Sequence, residues 1–349
     1  MALDLSQIAS QVVEAVTKLR QGDRERQEHL RLALETLAET SPQDLKTKID
    51  ASKTTWLVSG LGESMAAGHP PPPCPQDFAV AAVDGSHIDV DRHSPVRCYL
   101  INLGMVTLRY GKSPQALLAS RPTLYTAAED LALPDPQGPG EAQIEGPLLG
   151  VKRAVAEAAA LGPLLQALPP ELPALALLDG SLILWGLEGR EFETSRSFVR
   201  EEFLDRGFLP ALEGIRQQAQ GKPRALASYI SLPRSTEVAN AMRLALCPYE
   251  AADCDHCGFG RGERPCDRVA GIQDRQLFEA LLGVGERSDT FTSRSSIVRR
   301  HYGRHQVRFF YLRGAEEIGR VEFPSWIEER GMVELLHALV LDQCCRGKG

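Results

Sequence analysis

Several features that define common protein classes are scarce in this sequence. Its 349 residues carry a formal net charge of -7, so any nucleic-acid contact must come from a local basic stripe rather than the overall charge. Eight cysteines are too few for a secreted disulfide scaffold. The longest apolar run, 172–187, is interrupted by Pro173, Asp179 and Ser181, which excludes a membrane span. Residues 1–20 lack the apolar core of a signal peptide. We therefore expect a soluble, cytoplasmic protein.

The chain divides at a proline-rich stretch. Residues 4–65 have the charge and leucine spacing of helices, and residues 68–75 include four consecutive prolines, which predict a stiff linker. We expect an N-terminal helical segment with its linker over 1–75 and a main domain over 76–349.

In the main domain, apolar runs and helical patterns alternate. Strands are predicted at 78–86, 96–103, 105–110, 174–178, 225–232, 307–312 and 318–323. Helices are predicted at 145–161, ended by Gly162 and Pro163, and at 198–220, 237–246 and 331–345. The pair around Gly104 indicates antiparallel strands, so the mixture favours an α/β fold with a mixed sheet.

Two of these apolar strands run into the same three residues, Asp-Gly-Ser, at 84–86 and 179–181. If the strands are neighbours, Asp84 and Asp179 emerge side by side at one sheet edge. Close carboxylates repel unless they are protonated or hold a divalent cation. Glu157, in the helix between them, could add a third oxygen ligand for Mg²⁺ or Mn²⁺. Each Asp-Gly alone is equally explained as a turn, and a lone helical glutamate as a solvated residue.

The order of Asp84, Glu157 and Asp179 resembles the RNase H-like nuclease core, and specifically the NurA family. The similarity extends from about Phe78 to Gln343 and includes these stretches of the sequence: 227–231, 234–240, 285–288, 307–312 and 319–324. The two Asp-Gly-Ser segments are its most specific element. Glu145 competes with Glu157 for the helical position.

The resemblance implies an RNase H-like mixed sheet flanked by helices and a nuclease dependent on Mn²⁺ or Mg²⁺. Asp84, Glu157 and Asp179 would be its catalytic metal ligands. It also implies 5′ to 3′ exonuclease and endonuclease activity on single- and double-stranded DNA, a homodimer, and work with the hexameric HerA translocase in DNA end resection and repair. The sequence has no Walker A motif, so ATP-driven movement needs such a partner.

Two other functions remain open at this stage. The chain could be a catalytically weak or inactive NurA-like subunit that docks on a translocase or binds nucleic acid. It could also be an RNase H-like enzyme acting on RNA, because a basic aromatic groove binds either single strand.

A basic stripe between Arg287 and Arg313 carries seven arginines and one acid, Asp289. From it we predict nucleic-acid contacts at Arg299, Arg300, Tyr302 and Arg304. The alternative is a solvated surface in which Tyr302, Phe309, Phe310 and Tyr311 pack in the core.

Four cysteines cluster within 20 residues: Cys247, Cys254, Cys257 and Cys266. Buried free cysteines do not usually collect in a polar loop, so we predict a metal-binding insertion over 247–266 with a structural role. The single Cys-x2-Cys pair suits Zn²⁺, and the longer spacings also suit a [4Fe-4S] cluster. His256 is expected to be a bystander.

The last helix contains His337, and the resemblance implies a metal-binding histidine in an Ala-His helix that follows this region in the family. Because His337 lies among leucines, we predict a packing role for it. We also expect the site without that histidine to bind Mn²⁺ but to cleave slowly.

Overall fold

The structure is a computed structural model that describes residues 5–89, 96–260 and 262–347. Its α-helices, numbered in chain order, are α1 Leu5–Glu39, α2 Pro42–Ala51, α3 Ala128–Leu131, α4 Pro147–Gln166, α5 Arg190–Glu193, α6 Ser197–Arg200, α7 Leu209–Ala219, α8 Ala239–Ala245, α9 Asp274–Leu281, α10 Ser296–His301, α11 Trp326–Glu329 and α12 Val333–Gly347. A wider π-helical stretch, Glu201–Phe208, joins α6 to α7, so the predicted long helix at 198–220 is confirmed.

The strands, in the same order, are β1 Gly68–His69, β2 Phe78–Ile88, β3 Tyr99–Tyr110, β4 Gln115–Tyr125, β5 Ala132–Pro134, β6 Glu141–Gln143, β7 Ala174–Asp179, β8 Arg224–Ile230, β9 Arg287–Ser288, β10 Phe291–Thr292, β11 Val307–Arg313 and β12 Ile318–Pro324. The strands predicted at 174–178, 225–232, 307–312 and 318–323 are therefore present with small boundary changes.

One ten-stranded sheet dominates the molecule, in the order β1-β9-β11-β12-β8-β7-β2-β3-β4, with β10 beside β11. β2, β7 and β8 are parallel, whereas β2–β3–β4 is an antiparallel meander and β12 is antiparallel to β8 and β11. The sheet is mixed and flanked by helices, as predicted. Its central strand β7 is apolar up to Asp179, because both faces of the sheet are covered there.

The two faces of the sheet carry separate cores, and β11 contributes to both. Phe310 and Leu312 belong to a core that contains α4 residues such as Leu161. Phe309 and Tyr311 point to the other face and pack with residues of the N-terminal segment, among them Leu45. This alternation follows from the two-residue period of a strand.

Three predicted elements differ from the structure. The helical structure predicted over 4–65 ends at Ala51, and Gly60 instead forms an isolated bridge with Thr292 of β10. The predicted break at Gly104 is wrong, since β3 passes through it without interruption and pairs it with Asp84. The helix predicted to stop at Gly162 continues to Gln166 with Pro163 inside it, so one proline did not end the helix.

The sequence does not predict the long strand β4. Nearly every residue of β4 is exposed, so it lacks the alternation of apolar and polar residues that marks a half-buried strand. It is formed by pairing with β3 over its full length rather than by burial. None of the helices in the described part of the chain is long and apolar enough to cross a membrane.

Candidate active site

Asp84 and Asp179 lie next to each other on neighbouring parallel strands. The paired register of β2 and β7 ends at Val83 opposite Leu178, and each aspartate is the following residue. Both side chains are exposed, and the carboxylates take no hydrogen bond from the residues that the structure describes. Two acidic side chains therefore sit free at the same point of the sheet, as the sequence predicts.

The two Asp-Gly-Ser segments have different backbones, however. Gly180 has φ +87°, and β7 ends at Asp179, so the second segment turns as predicted. The first does not turn, because β2 continues to Ile88. Gly85 is needed for another reason: a Cβ there would collide with Glu157 Oε1 and approach Arg153 Cγ to 2.8 Å.

Glu157 approaches the aspartates from helix α4. Its side chain is 6% exposed, and Arg153 Nε lies 3.1 Å from its Oε1 one helical turn away. The angle is unsuitable for a hydrogen bond, so this buried oxygen has an ion-pair neighbour but no hydrogen-bond donor. Burial raises the pKa of Glu157 to about 7. Arg153 and the backbone N–H of Gly85 oppose the shift, whereas Asp84 and, to a smaller extent, Asp179 add to it.

The three carboxylates form an oxygen-only donor set, which suits hard cations such as Mg²⁺ and Mn²⁺. Glu157 Oε1 is buried without a hydrogen-bond donor, so it is suited to bind a cation. Across residues 5–89, 96–260 and 262–347, no three His, Cys, Asp or Glu side chains are already grouped closely enough to hold a metal. Side-chain movement would be needed, and the two exposed aspartates are free to make it.

Glu322 on β12 holds the loop after Asp179 in place through hydrogen bonds. Glu322 Oε2 accepts hydrogen bonds from Ser181 Oγ at 2.8 Å and from the Leu182 N–H at 2.9 Å. Its other oxygen accepts from Arg320 Nε at 2.9 Å. Because Glu322 is 1% exposed, these charged hydrogen bonds fix the loop against the sheet.

A buried ionic network extends this anchor. Arg320 Nη1 donates to Glu237 Oε1 at 2.7 Å, and the guanidinium lies 3.6 Å from the ring centroid of Phe309. Nearby, Tyr311 donates its hydroxyl to Asp274 at 2.6 Å. The Asp179 loop is thus connected to the interior of the sheet.

Three separate cavities lie in sequence from the carboxylates to more distant basic residues. A cavity of about 340 Å³ is lined by Glu157, Asp179 and Trp185. Trp185 also lines a second cavity of about 350 Å³, with Arg234 and Leu57. Leu57 in turn lines a third of about 360 Å³, together with Lys53, Arg294 and Arg299. We call these three cavities, which share lining residues, the basic groove.

On the opposite side, Asp84 and Asp179 border a larger cavity of about 600 Å³. It lies between the β3–β4 hairpin and the end of α12 and is mostly apolar, with Met105, Leu118 and Val340 among its lining residues. Asp179 therefore borders two open spaces, and Asp84 borders the larger one.

The predicted nucleic-acid residues fall into different environments. Arg299 lines the basic groove. Arg300 is exposed and lies 3.4 Å from Glu193, and Arg304 is exposed outside the groove. Tyr302 is 1% exposed and its hydroxyl bonds Leu182 O and the Leu184 N–H, so the prediction that it contacts nucleic acid is wrong. It supports the Asp179 loop instead.

The NurA domain matches this chain over residues 78–347. The chain belongs to the NurA family. This membership implies a nuclease-type function. A comparison with curated proteins gives no match.

Two solved structures share weak similarity with this NurA protein. The native crystal structure of prototype foamy virus protease-reverse transcriptase has a TM-score of 0.25 and 17% identity, covering 46% of this chain and 18% of that one. LC9-RNase H1, a type 1 RNase H with the type 2 active-site motif, has a TM-score of 0.21 and 10% identity, covering 49% of this chain and 72% of that one. At these TM-scores neither similarity supports an argument about the fold or the activity.

Glu145 and His337, the other residues considered as metal ligands in this NurA protein, make contacts of their own. Glu145 precedes α4, and its carboxylate is 3.8 Å from Arg97. His337 is fully buried, with Nε2 2.8 Å from Gly285 O and its ring against Phe310. The structure thus places His337 in the packing role predicted for it.

Trp185 and Glu322 were not identified as site residues from the sequence. Trp185 is 41% exposed, and its indole N–H is 3.2 Å from Ser181 Oγ. In the sequence it follows the run Leu182-Ile183-Leu184, which is typical of a core strand. Glu322 gave a signal that could have been used: a charged residue alternating with apolar ones in a strand predicted to be buried.

Proposed function

We propose that this NurA protein is a metal-dependent deoxyribonuclease in which Asp84, Glu157 and Asp179 hold Mn²⁺ or Mg²⁺. The observation that carries the proposal is that two free aspartates end paired parallel strands and both act on the buried Glu157, whose pKa they help to raise. Bound there, such an ion would activate water and stabilise the leaving oxygen of a phosphodiester.

The residues of the proposed site have different roles. Asp84 and Asp179 provide exposed oxygens at fixed backbone positions. Glu157 supplies the third oxygen once it has lost its proton, and Arg153 favours that ionised form. Ser181 and Glu322 hold the Asp179 loop in place, which matters because catalytic geometry tolerates little displacement.

The order of strands supports an RNase H-like core. A three-stranded antiparallel meander, β2–β3–β4, is followed through helix α4 by the parallel strands β7 and β8, with the acids on the central pair. We propose that this part is the catalytic core and that the remaining strands extend it.

We propose that a single nucleic-acid strand lies along the basic groove. Arg299 and Lys53 would contact phosphates, whereas Arg294 is already paired with Asp50. The exposed face of Trp185 beside Asp179 would stack on a base near the scissile bond. Arg300 and Arg304, which are exposed on the same α10 region, would add phosphate contacts outside the groove.

The finer activity follows from the family resemblance. We propose 5′ to 3′ exonuclease and endonuclease action on single- and double-stranded DNA, in a homodimer that works with a HerA-type ATPase at DNA ends. A cytoplasmic location would agree with that role. The alternative, an inactive subunit that only binds DNA, is favoured by one observation: no three ligands are already grouped among the described residues.

The deciding experiment uses end-labelled single- and double-stranded DNA, an RNA control, and Mn²⁺, Mg²⁺ or chelator. We expect DNA cleavage with Mn²⁺ or Mg²⁺ and none with chelator. DNA binding without cleavage at any metal concentration would support the inactive subunit, and preferential RNA cleavage would overturn the DNA assignment.

The groove is tested separately, by binding in the presence of chelator. Trp185→Ala should weaken binding of single-stranded DNA by roughly tenfold, and Trp185→Phe should restore most of it, because stacking needs an aromatic face. Arg299→Gln with Arg300→Gln and Arg304→Gln should reduce the salt dependence of binding. An unchanged salt slope would mean that these arginines face away from the DNA.

A further inference from the structure

Outside the acidic site, four cysteines meet in one small cavity. Cys247, Cys254, Cys257 and Cys266 all line it, and all four are free thiols. They come from two parts of the chain: Cys247 follows helix α8, and Cys266 lies in a short helical turn, Pro265–Val269. Arg243 of α8 ties these parts together through Cys266 O at 3.3 Å and Asp267 at 3.1 Å.

Packing alone does not explain four free thiols around one space, because buried free cysteines do not usually collect in one polar loop.

We propose that Cys247, Cys254, Cys257 and Cys266 bind one Zn²⁺ ion, and that this site fastens the N-terminal segment to the nuclease domain. Each thiol that binds releases its proton to solvent, so the ion is held by four sulfurs in the tetrahedral arrangement usual for structural zinc. The thiols are not yet grouped at ligand spacing within the described residues, so binding would draw them together.

The short Cys-x2-Cys spacing favours one zinc ion. The space between the free thiols is about 20 Å³, close to that of a single water molecule. Cys254 and Cys257 form the short chelate that zinc sites use, and Cys247 and Cys266 complete it.

The cysteine loop is bonded directly to the end of the N-terminal segment. Lys53 N–H donates to Ala252 O at 2.7 Å, and Cys254 N–H donates to Lys53 O at 3.0 Å. Ser52 Oγ accepts from the Ala252 N–H at 2.9 Å, and Lys48 Nζ donates to Cys247 O at 2.6 Å. Residues 48–56 are therefore held by the same loop that carries the ligands.

This attachment has a functional consequence, which rests on the proposed nuclease. The N-terminal segment lies outside the matched family domain, yet Lys53 and Leu57 line the basic groove. A zinc ion at the cysteines would fix one wall of that groove at a distance from the catalytic carboxylates.

The first test measures metal in the full-length protein purified without oxygen or added metal. We expect about one zinc per chain. Cys254→Ser and Cys257→Ser should lose it, and Cys345→Ser, which changes an exposed cysteine outside the cavity, should keep it. Iron with visible absorption, no stoichiometric metal, or zinc retained in both cavity variants would each overturn the proposal.

The second test uses the unmutated protein, so it does not depend on the variants folding. Amide hydrogen exchange is compared with zinc bound, after chelation, and after zinc is restored. We expect exchange at Lys53 and Cys254 to become roughly tenfold faster or more on chelation and to recover with zinc. Unchanged exchange would refute the fastening. Neither test uses DNA, so both are independent of whether the chain is a nuclease.

Discussion

The segments at 84–86 and 179–181 have the same three residues and opposite structures. The first is extended within a long strand, and the second ends a strand and turns into a loop. Gly85 is required because Glu157 occupies the space of a side chain, whereas Gly180 is required because its φ is +87°. Ser86 is exposed, whereas Ser181 is bonded to buried Glu322.

The comparison shows that one motif can bring two aspartates to the same point by different means. Parallel pairing of β2 and β7 sets the positions of Asp84 and Asp179, and only one turn is needed. The first strand continues past the site and supports the β3–β4 hairpin.

Removing either aspartate should have the largest effect and the same effect in both segments. Asp84→Ala or Asp179→Ala should reduce Mn²⁺-dependent cleavage on the order of 100-fold or more. The metal-free melting temperature should stay the same or rise, since carboxylate repulsion decreases. Glu145→Ala is the control and should keep full activity. Full activity in either aspartate variant would remove that residue from the site.

Replacing Gly85 and replacing Gly180 should have different effects on cleavage and stability. Gly85→Ala should displace Glu157 or Arg153 and reduce cleavage roughly tenfold or more, because catalytic groups tolerate little displacement. Gly180→Ala meets no atom within 4 Å, so it should mainly cost about 1 kcal/mol of stability through its positive φ. Cleavage rates and urea unfolding would measure both. A larger loss of cleavage in Gly180→Ala would contradict the assigned roles.

The serines should differ in stability. Ser181→Ala leaves the buried Glu322 carboxylate with one donor fewer and should destabilise the protein by about 1–3 kcal/mol. Ser86→Ala should change stability by less than about 0.5 kcal/mol. Denaturant unfolding of both variants measures this, and equal stabilities would mean that Glu322 does not anchor the loop.

The smallest expected effect is a pH dependence of the stability of the metal-free protein. The pKa of Glu157 is raised to about 7 from 4.5, so the metal-free folded state holds a proton that the unfolded state has lost. This contribution to stability is full below pH 4.5 and is lost as the pH rises to about 7. Melting of the metal-free protein and of Glu157→Gln, recorded from pH 4 to 8, should therefore diverge over that range. Parallel curves would show that Glu157 does not titrate there.

The sequence predicted what depends on local pattern. The apolar strands before Asp84 and Asp179 and the helix carrying Glu157 were placed correctly, because buried strands and an alanine-rich helix have distinct periodicities. The sequence did not predict the elements whose conformation is set by pairing with a distant strand. Gly104 continues a strand because Asp84 lies opposite, and β4 exists because β3 pairs with it.

The stripe of arginines and aromatics shows the same limit. The sequence could not separate Arg299, which lines a groove, from Tyr302, which is buried against the Asp179 loop. Trp185 had no signal at all, since its exposure is created by a loop that follows the second turn. Proximity between distant segments, rather than composition, decides these roles.

The buried surroundings of Arg320 protect the loop that carries Asp179 from changes in ionic strength. Arg320 is 2% exposed and shares its interior with Glu237, Glu322 and Asp274. Burial raises the pKa values of Glu237 and Asp274, and Arg320 opposes both shifts. The buried guanidinium, and not dissolved ions, offsets the charge of the neighbouring carboxylates. Dissolved salt screens exposed charges strongly and buried ones weakly. High ionic strength should therefore release a nucleic acid from the surface arginines while the loop carrying Asp179 keeps its shape.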